Sequence, residues 1–312
     1  MRKLLLLLNL KIIPQKKTIV WKYFSEIDKN NFFYANKKAF LWILHYLGIS
    51  QTTYNILKKI GIKSSYDAIS DRRVELSKQL DKIFNSTVRY GLFKGLKFSK
   101  TSWWGINDRG SVLLGLYEKE LLQSLQNIPK KYNTFIDLGA ADGYYGIGVL
   151  VSNLFKKSIC YEISEKGREV IRDNALLNNV LDRVEIRSIA KNNFYSEIDI
   201  NIISNSVLFV DIEGAEFELF NTNTFTAFSE SIIFIELHDW FFVDGSEKLQ
   251  KIKYDSILTH TITEITMKDR DLSIFPELKE FHDSDRWLIC SEGRSRLMTW
   301  LRFDPKKICS KK

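Results

Sequence analysis

Two short runs hold the residues best suited to chemistry. The first is Phe135–Gly148, FIDLGAADGYYGIG. An apolar stretch ends near Asp137. Gly139, Ala140, Ala141, Asp142 and Gly143 then turn tightly before a second apolar stretch. Glycines in such a turn take positive φ and let the backbone approach a ligand. A dinucleotide fingerprint spaces its glycines as G-x-G-x-x-G and sets a pyrophosphate over the helix N-terminus. Here Ala140 follows Gly139, the next glycine is Gly143, and the turn carries two acids, Asp137 and Asp142. Acids line a pyrophosphate site poorly and suit a cationic ligand, such as a sulfonium with an α-amino group. About twenty residues on, Glu162 closes the next apolar run, where an acid accepts from ribose hydroxyls. Any glycine-bearing strand–helix turn shares part of this pattern, and the acid at the second run is what agrees with a ligand.

The second run is Val207–Phe220, VLFVDIEGAEFELF, with Asp211, Glu213, Gly214 and Glu216; the nearby Ile232–Trp240, IIFIELHDW, adds Glu236, His238 and Asp239. A hydroxyl is a weak nucleophile until it loses its proton, so a base or a metal must help. His238 is the first candidate for a base because a histidine titrates near neutrality, although a structural histidine would look the same. Glu213 and Glu216 are the alternatives, with Glu216 equally readable as an acid favoured at a helix N-terminus. Asp211, Glu236, His238 and Asp239 together offer Mg²⁺ a mostly oxygen ligand set. No spacing compels a metal, and none is assigned. Glu118, in GLYEKE, either reaches the cofactor's amino group or is a solvated helix acid, and the solvated role is preferred.

These side chains need elements to hold them. After Pro129, β-rich runs alternate with helical ones. Strands are expected at Thr134–Leu138, Ser158–Glu162, Val184–Arg187, Val207–Asp211 and Ile232–Leu237, and helices near Tyr145–Phe155, Lys166–Leu177 and Glu247–Leu258. Thr261–Thr266 and Arg286–Cys290 complete a seven-stranded set and should pair antiparallel, since no crossover helix separates them. The expectation is an α/β, doubly wound, Rossmann-like sheet with a final antiparallel strand. Residues 1–130 form a mainly helical, basic N-terminal region before a domain at 131–312. Helices are expected at Ala39–Leu47, from Ser50 to Gly61, from about Tyr66 to Phe84 and over Leu113–Leu125. The third has Ile69, Leu76, Leu80 and Ile83 on one face, Lys78 and Lys82 opposite, and Arg72 and Arg73 flanking.

The glycine turn with Glu162 resembles the class I S-adenosylmethionine-dependent methyltransferases. Asp211-Ile212-Glu213-Gly214-Ala215-Glu216 after the fourth strand, with Glu236 in the fifth, resembles the FkbM-type members, whose hallmark is D-V-E-G-x-E. The likeness covers about residues 132–240. It implies that Asp137, Gly139, Ala140, Asp142 and Gly143 face the methionine part of S-adenosylmethionine and that Glu162 holds the ribose. Ile163 would flank the adenine, with Ile189 and Ala190 near its edge. It also implies O-methylation of sugar or polyketide hydroxyls, often in surface-glycan or natural-product pathways. The chain departs from the pattern at Asp142, where the family usually has Asn, and at Phe209, where it often has Lys. The catalytic candidates carried forward are His238, Glu213 and Asp211.

The whole chain bounds what else is plausible. Its 312 residues, 45% apolar and 27% charged, have an ordinary globular balance. Cys160, Cys290 and Cys309 are far apart and form no zinc-like cluster, which fits a reducing, cytoplasmic setting. The start, MRKLLLLLNLKIIP, is broken by Asn9 and Lys11 and is far short of the ~20 apolar residues that span a bilayer. Residues 1–131 hold 24 Lys and Arg against 9 Asp and Glu, and residues 132–312 hold 22 against 29. A basic first third suits an anionic acceptor, such as a lipid-linked or phosphorylated glycan, or peripheral contact with the inner membrane surface. It would also suit a nucleic-acid methyltransferase. Amino-directed base methylation by this fold usually needs a Pro-Pro-aromatic turn, though, and Asp211–Gly214 stands in its place, so nucleic acid is not expected as a partner. A non-catalytic Rossmann-like binding module is the other alternative, opposed by the intact acids Asp137, Glu162 and Asp211.

Overall fold

In the computed structural model of the chain, residues 65–294 and 296–306 are described. The helices expected at Ala39–Leu47 and from Ser50 to Gly61, and the Leu4–Leu8 run, lie outside them. Seven strands form one sheet: β1 Thr134–Leu138, β2 Lys157–Tyr161, β3 Val184–Arg187, β4 Ser206–Val210, β5 Ile232–Glu236, β6 His260–Thr266 and β7 Thr299–Pro305. Their order is β3-β2-β1-β4-β5-β7-β6. The pairs β1–β2, β1–β4, β2–β3 and β4–β5 are parallel. β7 runs antiparallel to both β5 and β6.

Among the described residues six helices have eight residues or more. They are α1 Ser65–Phe84, α2 Lys119–Gln126, α3 Tyr144–Val151, α4 Glu165–Leu177, α5 Gly245–Ser256 and α6 Asp283–Cys290. Every position of β1, β4 and β5 is buried, as strands covered on both faces must be. Alternate residues feed two cores. Phe135, Phe209, Phe234 and Trp300 join the first, and Ile136, Leu208, Ile233 and Leu301 the second. This is the expected doubly wound architecture with its antiparallel final strand.

Three expectations need correction. Arg286–Cys290 is not a strand but the end of α6, and β6 pairs instead with Thr299–Pro305. A short apolar run such as Trp287–Cys290 has no period that separates strand from helix. Asp283 and Asp285 in the first turn favour the helix. The helix expected over Leu113–Leu125 is broken. Arg109–Leu113 is one short helix and α2 another, because Gly115 and Glu118 take φ of 65° and 47° between them. In α1 the buried face is Arg73, Leu76, Ser77, Leu80 and Phe84, while Ile69 and Ile83 are exposed. Arg73 Nε and Ser77 Oγ both donate to the Asn107 carbonyl, and Ser77 Oγ accepts from Gly110 N–H. These bonds set the rotation of the helix.

The chain divides into compact units Met1–Asp71 and Arg72–Lys312, and of the first only residues 65–71 are described. Leu76, Leu80, Phe93, Leu113, Leu121 and Leu125 share one core with Phe135 and Phe209, so residues 72–130 pack with the sheet.

Candidate active site

The strand order reverses between β1 and β4, and ligands of open α/β sheets bind beyond the carboxyl ends of strands at such a point. The chain is built for close approach there. A Cβ on Gly139 would lie 1.7 Å from the Asp211 carbonyl oxygen, so only glycine lets the turn after β1 touch the end of β4. Gly139, Ala141 and Gly143 all have positive φ, between 47° and 88°. The opening above holds a cavity of about 970 Å³, at the upper end of the range of about 300–1,000 Å³ for small-molecule sites.

Eight of the nine expected cofactor residues line this cavity: Asp137, Gly139, Ala140, Asp142, Glu162, Ile163, Ile189 and Ala190. Gly143 does not; it caps α3 in the left-handed region. Glu162 is buried and accepts Ala141 N–H at 2.9 Å through Oε2 and Ser164 N–H at 2.7 Å through Oε1. A carboxylate has about four lone-pair sites, so two remain for ribose hydroxyls. Ile163 and Ile189 are 71% and 49% exposed, which leaves an apolar slot beside Glu162. Asp137 Oδ2 accepts Gly146 N–H at 3.0 Å, and burial pushes its carboxyl up to about 8.

Asp142 has a different task from the one its position suggests. Its carboxylate accepts from the Ser102 hydroxyl and from Trp103 and Trp104 N–H at 2.8 and 3.2 Å. It thereby anchors the 102–105 loop as a wall of the cavity. Asp108, Arg109 and Tyr144 also line the cavity, and each has a buried polar atom without a hydrogen bond: Arg109 Nη1, the Tyr144 hydroxyl and Asp108 Oδ1, which has only a 3.8 Å ion pair with Arg73. Buried polar groups are normally paired, so three orphans around one cavity point to a polar ligand. Arg109 sits on the Phe98 ring at 4.0 Å, and burial lowers its pKa. No motif marked Asp108 and Arg109; they stand where the 102–108 loop enters a short helix, a place that depends on Asp142, Arg73 and Ser77.

At the end of β4 the structure brings Asp211, Glu213 and His238 together. His238 Nε2 is 3.7 Å from Asp211 Oδ1 and 3.4 Å from Glu213 Oε2. Asp211 and Glu213 line the cavity; His238, 3% exposed, sits behind them. Glu216 is fully buried and holds His238 through both its backbone N–H and Nδ1. Burial lowers the His238 pKa, but Glu216, Asp211 and Glu213 outweigh that and hold it above its ordinary value. Burial raises the Asp211 and Glu213 carboxyls as well. The ligand set first drawn as Asp211, Glu236, His238 and Asp239 is thus replaced by Asp211, Glu213 and His238. Glu236 pairs with Arg294 at 2.6 Å and lies against the Asp211 carboxyl.

Arg294 escaped the sequence because one arginine in a loop carries no pattern. It pairs with Glu118, Glu236 and Glu292. Glu118 is therefore not the solvated acid expected. It is 5% exposed, is bound by Arg294 and the Tyr145 hydroxyl, and is pushed up to about 7 chiefly by burial. The group ties the segment after β6 to the ends of β5 and α3.

A family model described as the methyltransferase FkbM domain matches residues 124–285, just over half of the chain. No curated protein matches. The fold is similar to that of the O-methyltransferase from Bacillus cereus in complex with SAH, at 14% identity, 81% coverage of this chain, 96% of that chain and TM-score 0.38. It is also similar to the ribosomal protein L11 methylase from Lactobacillus delbrueckii subsp. bulgaricus, at 13%, 60%, 78% and 0.37. The B. subtilis M1A22 tRNA methyltransferase is a third such structure, at 9%, 60%, 66% and 0.40. With the acidic glycine turn, the acid after β2 and the DIEGAE run where the family has them, the chain belongs to the FkbM family of S-adenosylmethionine-dependent methyltransferases.

Proposed function

We propose that the protein transfers the methyl group of S-adenosylmethionine to a hydroxyl of a sugar or glycan. The observation that carries this is the Asp211–Glu213–His238 group at one end of the cofactor cavity. Methyl transfer from a sulfonium needs positioning above all, and amine acceptors need no acid–histidine group to make them nucleophilic. A hydroxyl does. In this reading Glu162 holds the ribose, Ile163 and Ile189 take the adenine, and Asp137 faces the α-ammonium. Arg109, with its unpaired Nη1, takes the methionine carboxylate.

Beside the acid–histidine group are rings suited to the apolar face of a sugar. Phe241 is 55% exposed and stacks on His238 at 5.4 Å, and Phe242 packs on Phe217. Exposed apolar side chains grouped at a site mark a binding surface. The exposed Lys78, Lys82, Lys94 and Lys97 extend the basic first third and suit an anionic, lipid-linked or phosphorylated acceptor or a membrane surface. No helix among the described residues is long and apolar enough to cross a membrane. Mass spectrometry of glycans from cells with and without the protein tests the proposal. Loss of the mass of one methylene from a sugar is expected; unchanged glycans would contradict it.

A further inference from the structure

We infer that Asp211, Glu213 and His238 form a binding site for a hard divalent cation, Mg²⁺ or Mn²⁺. One ligand atom from each lies within 4.8 Å of the other two. His238 Nε2 stands 3.4 Å from Glu213 Oε2 and 3.7 Å from Asp211 Oδ1. Charge-assisted hydrogen bonds of this kind close to about 2.7–2.9 Å, so the three groups do not satisfy one another. Donors around an ion at about 2.1 Å stand about 3.0 Å apart when adjacent in an octahedron and about 4.2 Å when opposite. Both separations fall inside that span.

Two further features point to a ligand. Asp211 Oδ1 is buried and accepts no hydrogen bond, while the Asp211 carboxyl lies against that of Glu236. His238 is 97% buried, and its Nε2 faces the two carboxylates without a hydrogen bond, while Nδ1 lies 3.2 Å from Glu216 Oε1. Glu216 also accepts His238 N–H at 2.9 Å and Gly214 N–H at 2.8 Å, so it is itself fixed. A carboxylate behind one ring nitrogen sets the tautomer that presents the other nitrogen to a metal. The strongest nearby cation, Arg294, is taken by Glu118, Glu236 and Glu292. Two carboxylates and one imidazole form a mainly oxygen set, which suits Mg²⁺ or Mn²⁺ over a thiophilic ion. Glu213 is held at φ 53°, a backbone state that non-glycine residues avoid, and this places its carboxylate at the cavity. A cation here would sit where the acceptor enters and would lower the pKa of a bound hydroxyl. Binding of the ion itself depends on neither the cofactor nor the acceptor assignment.

Titration of the full-length protein with Mn²⁺, following the free ion by electron paramagnetic resonance, tests the site. Wild type should take up one Mn²⁺ per chain, and Mg²⁺ should compete. Glu213→Gln, which alters a half-exposed side chain, should weaken binding at least tenfold. His238→Gln should abolish it. Glu216→Gln should weaken it about 10- to 100-fold through the misplaced imidazole. S-adenosylhomocysteine affinity, measured on the same samples, should stay unchanged in His238→Gln and Glu216→Gln, whose side chains do not line the cavity, and reports separately on the cofactor cavity. No Mn²⁺ uptake at millimolar concentration by a wild type that binds S-adenosylhomocysteine would overturn the cation site alone. So would uptake that Glu213→Gln and His238→Gln leave intact, or competition by Zn²⁺ but not by Mg²⁺.

Discussion

Glu216 grips His238 at two points, accepting its backbone N–H at 2.9 Å and facing Nδ1 at 3.2 Å with the same oxygen. The pair spans the turn after β4 and the end of β5. It aims Nε2 at Asp211 and Glu213, so the imidazole serves the acceptor end of the cavity. His238→Ala should therefore lower turnover by about 10²-fold or more, the usual scale for losing a group that activates the acceptor, as a base or as a ligand of the activating cation. Affinity for S-adenosylhomocysteine should not change, because His238 does not line the cofactor cavity. Steady-state kinetics with calorimetry check this; unchanged turnover would remove His238 from the chemistry.

Cofactor affinity should depend on pH through Asp137. Burial holds its carboxyl at about 8 in the free protein. A cationic cofactor favours the carboxylate, so binding expels the proton. Affinity should be full above pH 8 and should fall as pH drops below it, by at most about tenfold per unit. Calorimetry from pH 6 to 9 reads the slope directly, and Asp137→Asn should flatten it. A flat wild-type profile would place the cofactor's ammonium elsewhere.

Glu162 and Arg109 should mark opposite ends of the cofactor. Glu162→Ala removes the proposed ribose contact and two backbone bonds. It should weaken S-adenosylhomocysteine binding by about 1.5–3 kcal/mol, the scale of hydrogen bonds to a charged group. Arg109→Ala should weaken S-adenosylhomocysteine yet spare adenosine, which lacks the methionine carboxylate. Equal losses for both ligands would mean that Arg109 supports the loop and does not touch the cofactor.

Much of this site was legible beforehand, and the parts that were not share a cause. The turn Asp137–Gly143 and Glu162 act locally, one strand end each, so spacing alone located them. Their meeting with Asp211 follows from β1 and β4 being neighbours, a strand order that the structure supplies. Asp108 and Arg109, at the start of a short helix, and Arg294, in a loop, are positioned by long-range bonds: Arg73 to Asn107, and Arg294 to Glu118 and Glu236. Nothing in their neighbouring residues encodes those partners. The misread Arg286–Cys290 strand shows the same limit, since four consecutive apolar residues have no period. β7 was passed over although Trp300, Leu301 and Phe303 bury there, because Arg302 and Asp304 dilute its pattern.

Glu213 should trade stability for function. At φ 53° a non-glycine residue costs about 1–2 kcal/mol, against about 0.5–1 kcal/mol for the chain entropy that glycine loses on folding. Glu213→Gly should thus stabilise the fold by about 0.5–1 kcal/mol while lowering turnover. Urea denaturation and kinetics on the same variant check both signs. A destabilised variant would show that the side chain supports the turn.

Transfer to oxygen is tested most directly with S-adenosylmethionine carrying a deuterated methyl group. The purified protein is incubated with the glycan fraction of the cells that make it, and the products are hydrolysed and read by mass spectrometry. Label is expected as a hydrolysis-stable methyl ether on a sugar, lost when Glu162 is replaced by Ala and strongly reduced in His238→Ala. Label found on nitrogen or on RNA bases, with none on sugar oxygen, would contradict the account.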